Sequence, residues 1–378
     1  RPAGARPRRT SGLWFNRAAP PRLSDIRSGA VGFAGKGGFA GKGCTGGKGC
    51  EGSLIGGACG WRMTIWYSVR MDRRNFIRRV GPAATLGVAW ARWAGAAPAT
   101  TPLTVVPLGN GLSVISGGGG NVTLFESPQG VLLVDGGSPE RSAEVLKLVK
   151  ARTGASKVHT LFNTHWHWDQ TGSNRTLGPA GTRIIAHENT KLWLGTEVIS
   201  KWQNRIYQPL PRDARPNQTF YTTGSLSFGA EQIDFGYMPQ AHTDGDLYVF
   251  FRNANVLVAG DVVSVGSYPI IDYSTNGWIG GLVEGTQTLM GLADAKTQII
   301  PGTGPVQTRA DVEAEHAMLA TLKLNLSRLL AQGMSVQDML AAKPTRDFDA
   351  HWGDPTLFVA NAWPGLVERA RELGVHIV

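Results

Sequence analysis

Between residues 98 and 378 the apolar positions fall into short runs separated by turn residues, not into long stretches. "NVTLFESPQGVLLVDGG" reads as two strands joined by the Ser127-Pro128-Gln129-Gly130 turn. Ser138-Pro139 then reads as an N-cap followed by proline at the first helical position, and the helix ends near Gly154. "VHTLFNTH" is a short apolar strand running straight into a histidine, and "RIIAHENT" is another strand-to-loop junction. "SLSF", "EQIDFGYM", "DLYVFF" and "NVLVAGD" predict four successive strands. Thr308-Arg309-Ala310-Asp311 resembles a capping box. It opens a helix whose Val312, Met318, Leu319, Leu322, Leu326, Leu329 and Leu330 recur at spacings of mostly three and four. Strands and helices thus alternate, with two strand-rich blocks, which is an α/β pattern.

The chain has 378 residues and 42% hydrophobic content, enough for one large core or two modest domains. Its formal charge of +10 would suggest nucleic acid or an anionic surface. The location of the charge removes that suggestion. Residues 1–70 hold twelve Lys/Arg and two acids, residues 71–96 five and one, and the remaining 282 residues 21 and 25. The body is mildly acidic, so no nucleic-acid partner is expected. Cys44, Cys50 and Cys59 all lie in the first 70 residues. Any metal in the body must therefore be held by histidine, carboxylate or water.

Residues 1–70 do not read as a folded domain. "GFAGKG" occurs twice in succession, and glycine at that density cannot bury enough apolar surface to offset backbone entropy. Lys36, Lys42 and Lys48 are each followed by glycine rather than Ser/Thr, so this is no phosphate loop. With Arg1 rather than methionine at its start, the segment reads as an extension upstream of the natural start. At Met71 an export signal begins, spanning residues 71–96: a charged stretch, a weakly apolar one, then A-x-A options. "DRRNFIR", with Arg73-Arg74, resembles the twin-arginine type. Arg92 breaks the short apolar stretch, so no stable membrane span is expected. The expected partner is the twin-arginine export machinery and the expected location the bacterial periplasm. Residues 97–378 form the globular domain.

"NTHWHWDQTGSN" is where the chemistry concentrates. His165 and His167 stand one residue apart on a loop leaving a strand, so both imidazoles can turn to one ion. Asp169 is two positions on. Histidine nitrogen and carboxylate oxygen are ordinary zinc ligands, and a catalytic site leaves one position open for water. The competing reading is a half-buried strand, which two histidines and an aspartate at the end of an apolar run disfavour. His187 reads as structural, as do His159, His316, His351 and His376, which have no partners at ligand spacing.

"THWHWDQ" resembles the H-x-H-x-D-H motif of the metallo-β-lactamase superfamily, with Gln170 at its last position. "LLVDGG" supplies Asp135, "AHTDGD" His242 and "VAGDVV" Asp261, all in the family's order. "IIPGTGPV" resembles the family's P-G-H-G-P, with Thr303 in the place of histidine. The resemblance implies a four-layer αββα sandwich, here with a helical C-terminal part. It implies a first metal site of His165, His167 and His242, and a second of Asp169 and Asp261. Gln170 and Thr303 deplete that second site, so one tight zinc is expected, with a second weak or absent.

The implied function is an exported zinc-dependent hydrolase in which metal-activated hydroxide attacks an ester, lactone, thioester or amide/lactam bond of a small molecule. Asp169 would orient the water and shuttle its proton, Asp261 would assist, and Asp135 would hold the ligand loop from behind. Trp166 and Trp168 are candidate substrate walls, residues 201–221 resemble a lid, and residues 264–278 form a candidate opposite wall. Two alternatives stand beside this. One is a mononuclear iron enzyme using His165, His242 and Asp261 to oxidise sulfur compounds. The other is a binding protein without turnover on the same fold. Substrate and oligomeric state are not legible.

Overall fold

The computed structural model describes residues 102–374. The extension, the export signal and His376 lie outside the described residues. The first sheet comprises β1 (Thr104–Gly109), β2 (Leu112–Gly118), β3 (Gly120–Ser127), β4 (Gly130–Val134), β5 (Val158–Phe162), β6 (Arg183–His187) and β9 (Gln218–Phe220), in that spatial order. It is antiparallel from β1 to β4 and parallel from β4 onward. The second sheet runs β10 (Thr223–Phe228), β11 (Glu231–Tyr237), β12 (Leu247–Phe251), β13 (Val256–Gly260), β14 (Gln298–Pro301), with only β13–β14 parallel. β7 (Val198–Ser200) and β8 (Arg205–Tyr207) form a separate hairpin.

The helices are α1 (Ser142–Thr153), α2 (Trp168–Thr171), α3 (Asn174–Leu177), α4 (Glu188–Trp193), α5 (Ile279–Leu292), α6 (Arg309–Ala331), α7 (Val336–Ala342), α8 (Asp349–Trp352) and α9 (Thr356–Glu372). Among the described residues no helix is long and apolar enough to cross a membrane.

Three apolar cores separate four layers. Successive residues of one strand enter different cores, because side chains alternate across a sheet. Leu132 and Val134 face the second sheet, meeting Phe235, Val249 and Phe251. Val131 and Leu133 face α1, packing with Val145 and Val149. In the second sheet Val249 and Phe251 point inward, while Tyr248 and Phe250 point to the helical side with Leu282, Leu322 and Phe358. Both sheets are therefore covered on both faces, an αββα sandwich. This is why "VLLV" and "LYVFF" are continuous apolar runs rather than alternating ones.

The expected strands form, and β3 and β4 close at Ser127 opposite Gly130. α6 opens on the expected capping box, with Thr308 and Asp311 exchanging hydrogen bonds. The first helix begins later than Ser138-Pro139 suggests. Ser138 donates its backbone N–H to Gly118 of β2, 2.7 Å away, and Arg141 N–H turns back onto Ser138 O. The chain is pinned to the sheet there, so regular helix starts at Ser142 and ends on left-handed Gly154. Residues 201–221 are not one loop. Their first part builds the β7–β8 hairpin, and their last part adds β9 to the first sheet.

Candidate metal centre

The ends of β4, β5, β13 and β14 and the β11–β12 loop meet at one edge of the sandwich. Ligands in α/β sheets gather outside such carboxyl ends of strands. His165 and His167 follow β5, His242 lies between β11 and β12, and Asp261 follows β13 directly. One ligand atom from each of these four lies within 4.8 Å of the others, so the group can hold a metal ion.

The hydrogen bonds around each imidazole fix which nitrogen faces the centre. Thr164 Oγ1 donates to Asp135 Oδ2, so it accepts from His165 Nδ1 at 3.1 Å, and His165 Nε2 keeps its lone pair. His167 donates Nε2–H to Asp272 Oδ2 at 3.0 Å, leaving Nδ1 free. His242 donates Nδ1–H to the Ile270 carbonyl at 2.8 Å, leaving Nε2 free. All three lone pairs point to one place. His167 Nδ1 and His242 Nε2 are 2.9 Å apart, and lone pairs that close repel unless a proton or cation lies between them. His165 Nε2 is buried with no protein hydrogen-bond partner and lies 3.4 Å from Asp261 Oδ2, itself 3.6 Å from His242 Nε2. A tetrahedral ion with bonds of about 2.0–2.1 Å has ligand–ligand edges of about 3.3 Å. The donor set and its spacing fit such an ion.

The carboxylates behind the histidines repeat one device. Asp135 accepts from both N–H and Oγ1 of Thr164, at 2.8 Å each, and Thr164 precedes His165. Asp246 does the same for Thr243, which follows His242. Asp272 grips His167 directly and also accepts from Trp202 Nε1 and Thr275 Oγ1. Such partners orient metal-binding imidazoles and raise their basicity. Asp135 therefore sits where the sequence reading put it, whereas Asp246 and Asp272 were missed. Asp246 stands inside the quoted "AHTDGD", three residues from its threonine, and a T-x-x-D turn pattern signals it. Asp272 meets a histidine 105 residues away and has no local signal.

Burial, then the neighbouring His167 and His165, push the His242 imidazole down to about 3, so its Nε2 is free to ligate a cation. Burial opposes the charge on Asp261, but the adjacent imidazoles, His165 first among them, outweigh it and hold the carboxyl below the usual range. Burial, followed by the Asp261 charge, raises Asp169 above its ordinary value. Asp169 borders the centre but stands outside the four-ligand group.

Gln170 and Thr303 part company. The Gln170 amide is fully buried, lies against the Gly120 Cα and donates to the Gly302 carbonyl at 3.4 Å. Thr303 is exposed on the cavity wall. Gly302 itself must lack a side chain, because a Cβ there would collide with the Asp261 carboxylate. The centre opens into a cavity of about 400 Å³, walled by Trp168, Trp202, Tyr207 and Tyr268. Ser264, Ser267 and Ile270, from the segment after Asp261, form its other side.

Trp166 is not a wall of this cavity. In the bend after β5, where His165 and His167 turn to the centre, Trp166 turns away. It is buried with Leu194 and Val198 and donates Nε1–H to Thr275. Trp168, at the first turn of α2, reaches the rim. His187 is remote from the ligand group, capping α4 through Asn189 N–H and stacking on Tyr237. His159 and His316 bond threonine hydroxyls, and His351 is exposed.

Comparison with known proteins gives three findings. The model of the metallo-beta-lactamase superfamily matches residues 115–324. The 2,4-dinitroanisole O-demethylase subunit alpha of Nocardioides sp. (strain JS1661) is 26% identical over 193 residues, 50% of this chain and 55% of that protein. The chain thus spans about half the length of the curated relative it matches. Among solved structures, a metallo-beta-lactamase from Pontibacter korlensis is 17% identical over 58% of this chain and 99% of that one, with a TM-score of 0.47. The DIM-1 metallo-beta-lactamase is 16% identical over 58% and 98%, with a TM-score of 0.46.

Proposed function

The chain belongs to the metallo-β-lactamase superfamily, and on that premise we propose that it is a hydrolase dependent on one tightly held zinc ion. The observation that carries the proposal is the convergence of one ring nitrogen from each of three histidines with the Asp261 carboxylate at the floor of a cavity. His165, His167, His242 and Asp261 would hold the ion. When bound, it supplies Lewis acidity that polarises a carbonyl and lowers the pKa of a coordinated water to about 7.

The chain's own groups then have distinct tasks. Asp169 accepts a proton from the attacking water and passes it to the leaving group. It lines the cavity beside the four-ligand group, where a carboxylate can reach a reacting water. Asp272 holds the His167 ring, and the Asp135–Thr164 and Asp246–Thr243 pairs hold the loops of His165 and His242. Trp168 and Trp202 exclude water above the centre. The substrate is a small molecule with an ester, lactone, thioester or amide bond. The curated relative is named for removing a methyl group from an anisole oxygen, so activated aryl ethers belong in the same screen.

Gln170 and Thr303 stand where a second site would need imidazoles, and an amide oxygen or a hydroxyl is the poorer zinc ligand, which supports one metal rather than two. Three converging imidazoles support zinc hydrolysis over the iron alternative, which uses two histidines and one carboxylate. Metal analysis of the full chain, purified without added metal or chelator, tests both points. About one zinc per chain is expected. Two zinc ions of comparable affinity overturn the single-ion reading, and iron with oxygen uptake overturns the hydrolase. Export by the twin-arginine route remains part of the proposal, on the Arg73-Arg74 segment, and N-terminal sequencing of the mature protein tests it.

A further inference from the structure

A second cavity, of about 210 Å³, adjoins the metal-site cavity, and Trp168, Arg205 and Tyr207 line both. Arg205 lies against two aromatic rings, its guanidinium carbon 4.9 Å from the Trp168 centroid and 4.7 Å from that of Tyr207. Stacking of this kind holds the planar head while leaving its edge donors available. Arg175 lines the second cavity as well. No Asp or Glu lines it, and among the described residues neither arginine makes an ion pair. The nearby carboxylate of Glu197 is engaged by Gln208 at 2.8 Å.

Four of the remaining lining residues, Trp166, Trp168, Trp193 and Tyr207, are aromatic, beside aliphatic Leu194, Ile206 and Leu210. Trp166 and Trp193 line the cavity but spend their indole N–H groups on Thr275 and Asp244, so they offer carbon surface. The metal-site cavity has the opposite character, with the carboxylates of Asp169 and Asp261 on its wall. Two adjoining cavities thus divide the labour, one for the reacting bond and one for a flat anion. At about 210 Å³ the second is below the 300–1,000 Å³ of a whole-ligand site, so it takes one ring and its charge.

We propose that this second cavity is a subsite for the aromatic carboxylate end of a substrate whose scissile bond lies across the shared wall, beside the metal centre. Anion binding stands on the cavity alone; the substrate role rests on the hydrolase reading.

The test is titration of the full chain with benzoate and with neutral benzamide, followed by tryptophan fluorescence, before and after metal removal by chelation. Benzoate is expected to bind about tenfold or more tighter than benzamide, equally well in both preparations. Arg175→Ala should weaken that preference, Arg175→Lys should keep more of it, and Arg175→Ala with Arg205→Ala should erase it. Arg175 is exposed, and an unchanged thermal midpoint of each variant verifies its fold. Equal binding of the two ligands, or a preference that survives loss of both arginines, overturns the proposal. Benzoate binding that vanishes with the metal also overturns it, since the anion then sits on the ion. Absence of zinc from the chain would sink the hydrolase reading while leaving benzoate binding intact.

Discussion

Asp272 accepts hydrogen bonds from an imidazole, an indole, a hydroxyl and a backbone amide, and it is completely buried. Its charge fixes His167 with Nδ1 toward the centre. Asp272→Asn should weaken metal binding about 10–100-fold, with the far-ultraviolet spectrum unchanged. Competition against a chromogenic chelator measures this, and wild-type affinity in the variant would show that Asp272 does not orient the ligand. Asp169→Ala should keep the metal and lose turnover by about 10²–10⁴-fold. Near-normal turnover would remove Asp169 from the mechanism. Residues whose partners are close in sequence were legible: His165, His167 and Asp169 share one loop. His242 and Asp261 were legible only through the order of family motifs. Asp272 was not, because neither spacing nor residue type marks a partner that only the fold brings near.

At the scale of elements, α6 carries an anomaly on its buried face. Glu315 is 1% exposed and accepts the Ser264 N–H with both carboxylate oxygens, at 3.1 and 3.2 Å. Burial pushes its carboxyl well above the ordinary value of 4.5, against the weaker pull of that hydrogen bond. The folded state therefore keeps a proton that the unfolded chain releases. This contribution to stability is fully present below the unfolded pKa and is lost as pH rises through the folded one. Glu315→Gln keeps an acceptor for Ser264 without the charge. A pH series of thermal midpoints should show the variant gaining on wild type toward neutral pH, and parallel profiles would refute the assignment. At the other end of the scale, Thr308→Ala removes the cap of the same helix and should cost about 1 kcal/mol in denaturant unfolding. A cost near zero would mean that tertiary packing alone sets the helix start. That cap was legible because its two partners are three residues apart. The start of α1 was not, since the Gly118 contact that delays it is tertiary. The β1–β2 hairpin was overlooked although its signal is present. Asn110 and Gly111 both have positive φ, 52° and 79°, the dipeptide preference of a type I′ turn.

At the scale of the molecule, each sheet supplies half of the centre. His165 and His167 leave the first sheet, and His242 and Asp261 the second. An ion bound only by the folded state should stabilise it by about 2.7 kcal/mol at a hundredfold excess over Kd. The melting temperature of the full chain should rise by several degrees with zinc and fall with chelator. His242→Ala should abolish the difference, and a shift that persists there would place the ion elsewhere. The strand pattern alone was legible as class, and the four-layer αββα architecture was legible through the family motifs. Continuous apolar runs show that strands are covered on both faces, without showing which neighbour covers which face.

A donor pair on either sheet is too few to retain an ion. Only the closed sandwich presents all four, so a chain arrested with one sheet formed carries no metal. Metal content would then serve as a certificate of completed assembly, readable chain by chain.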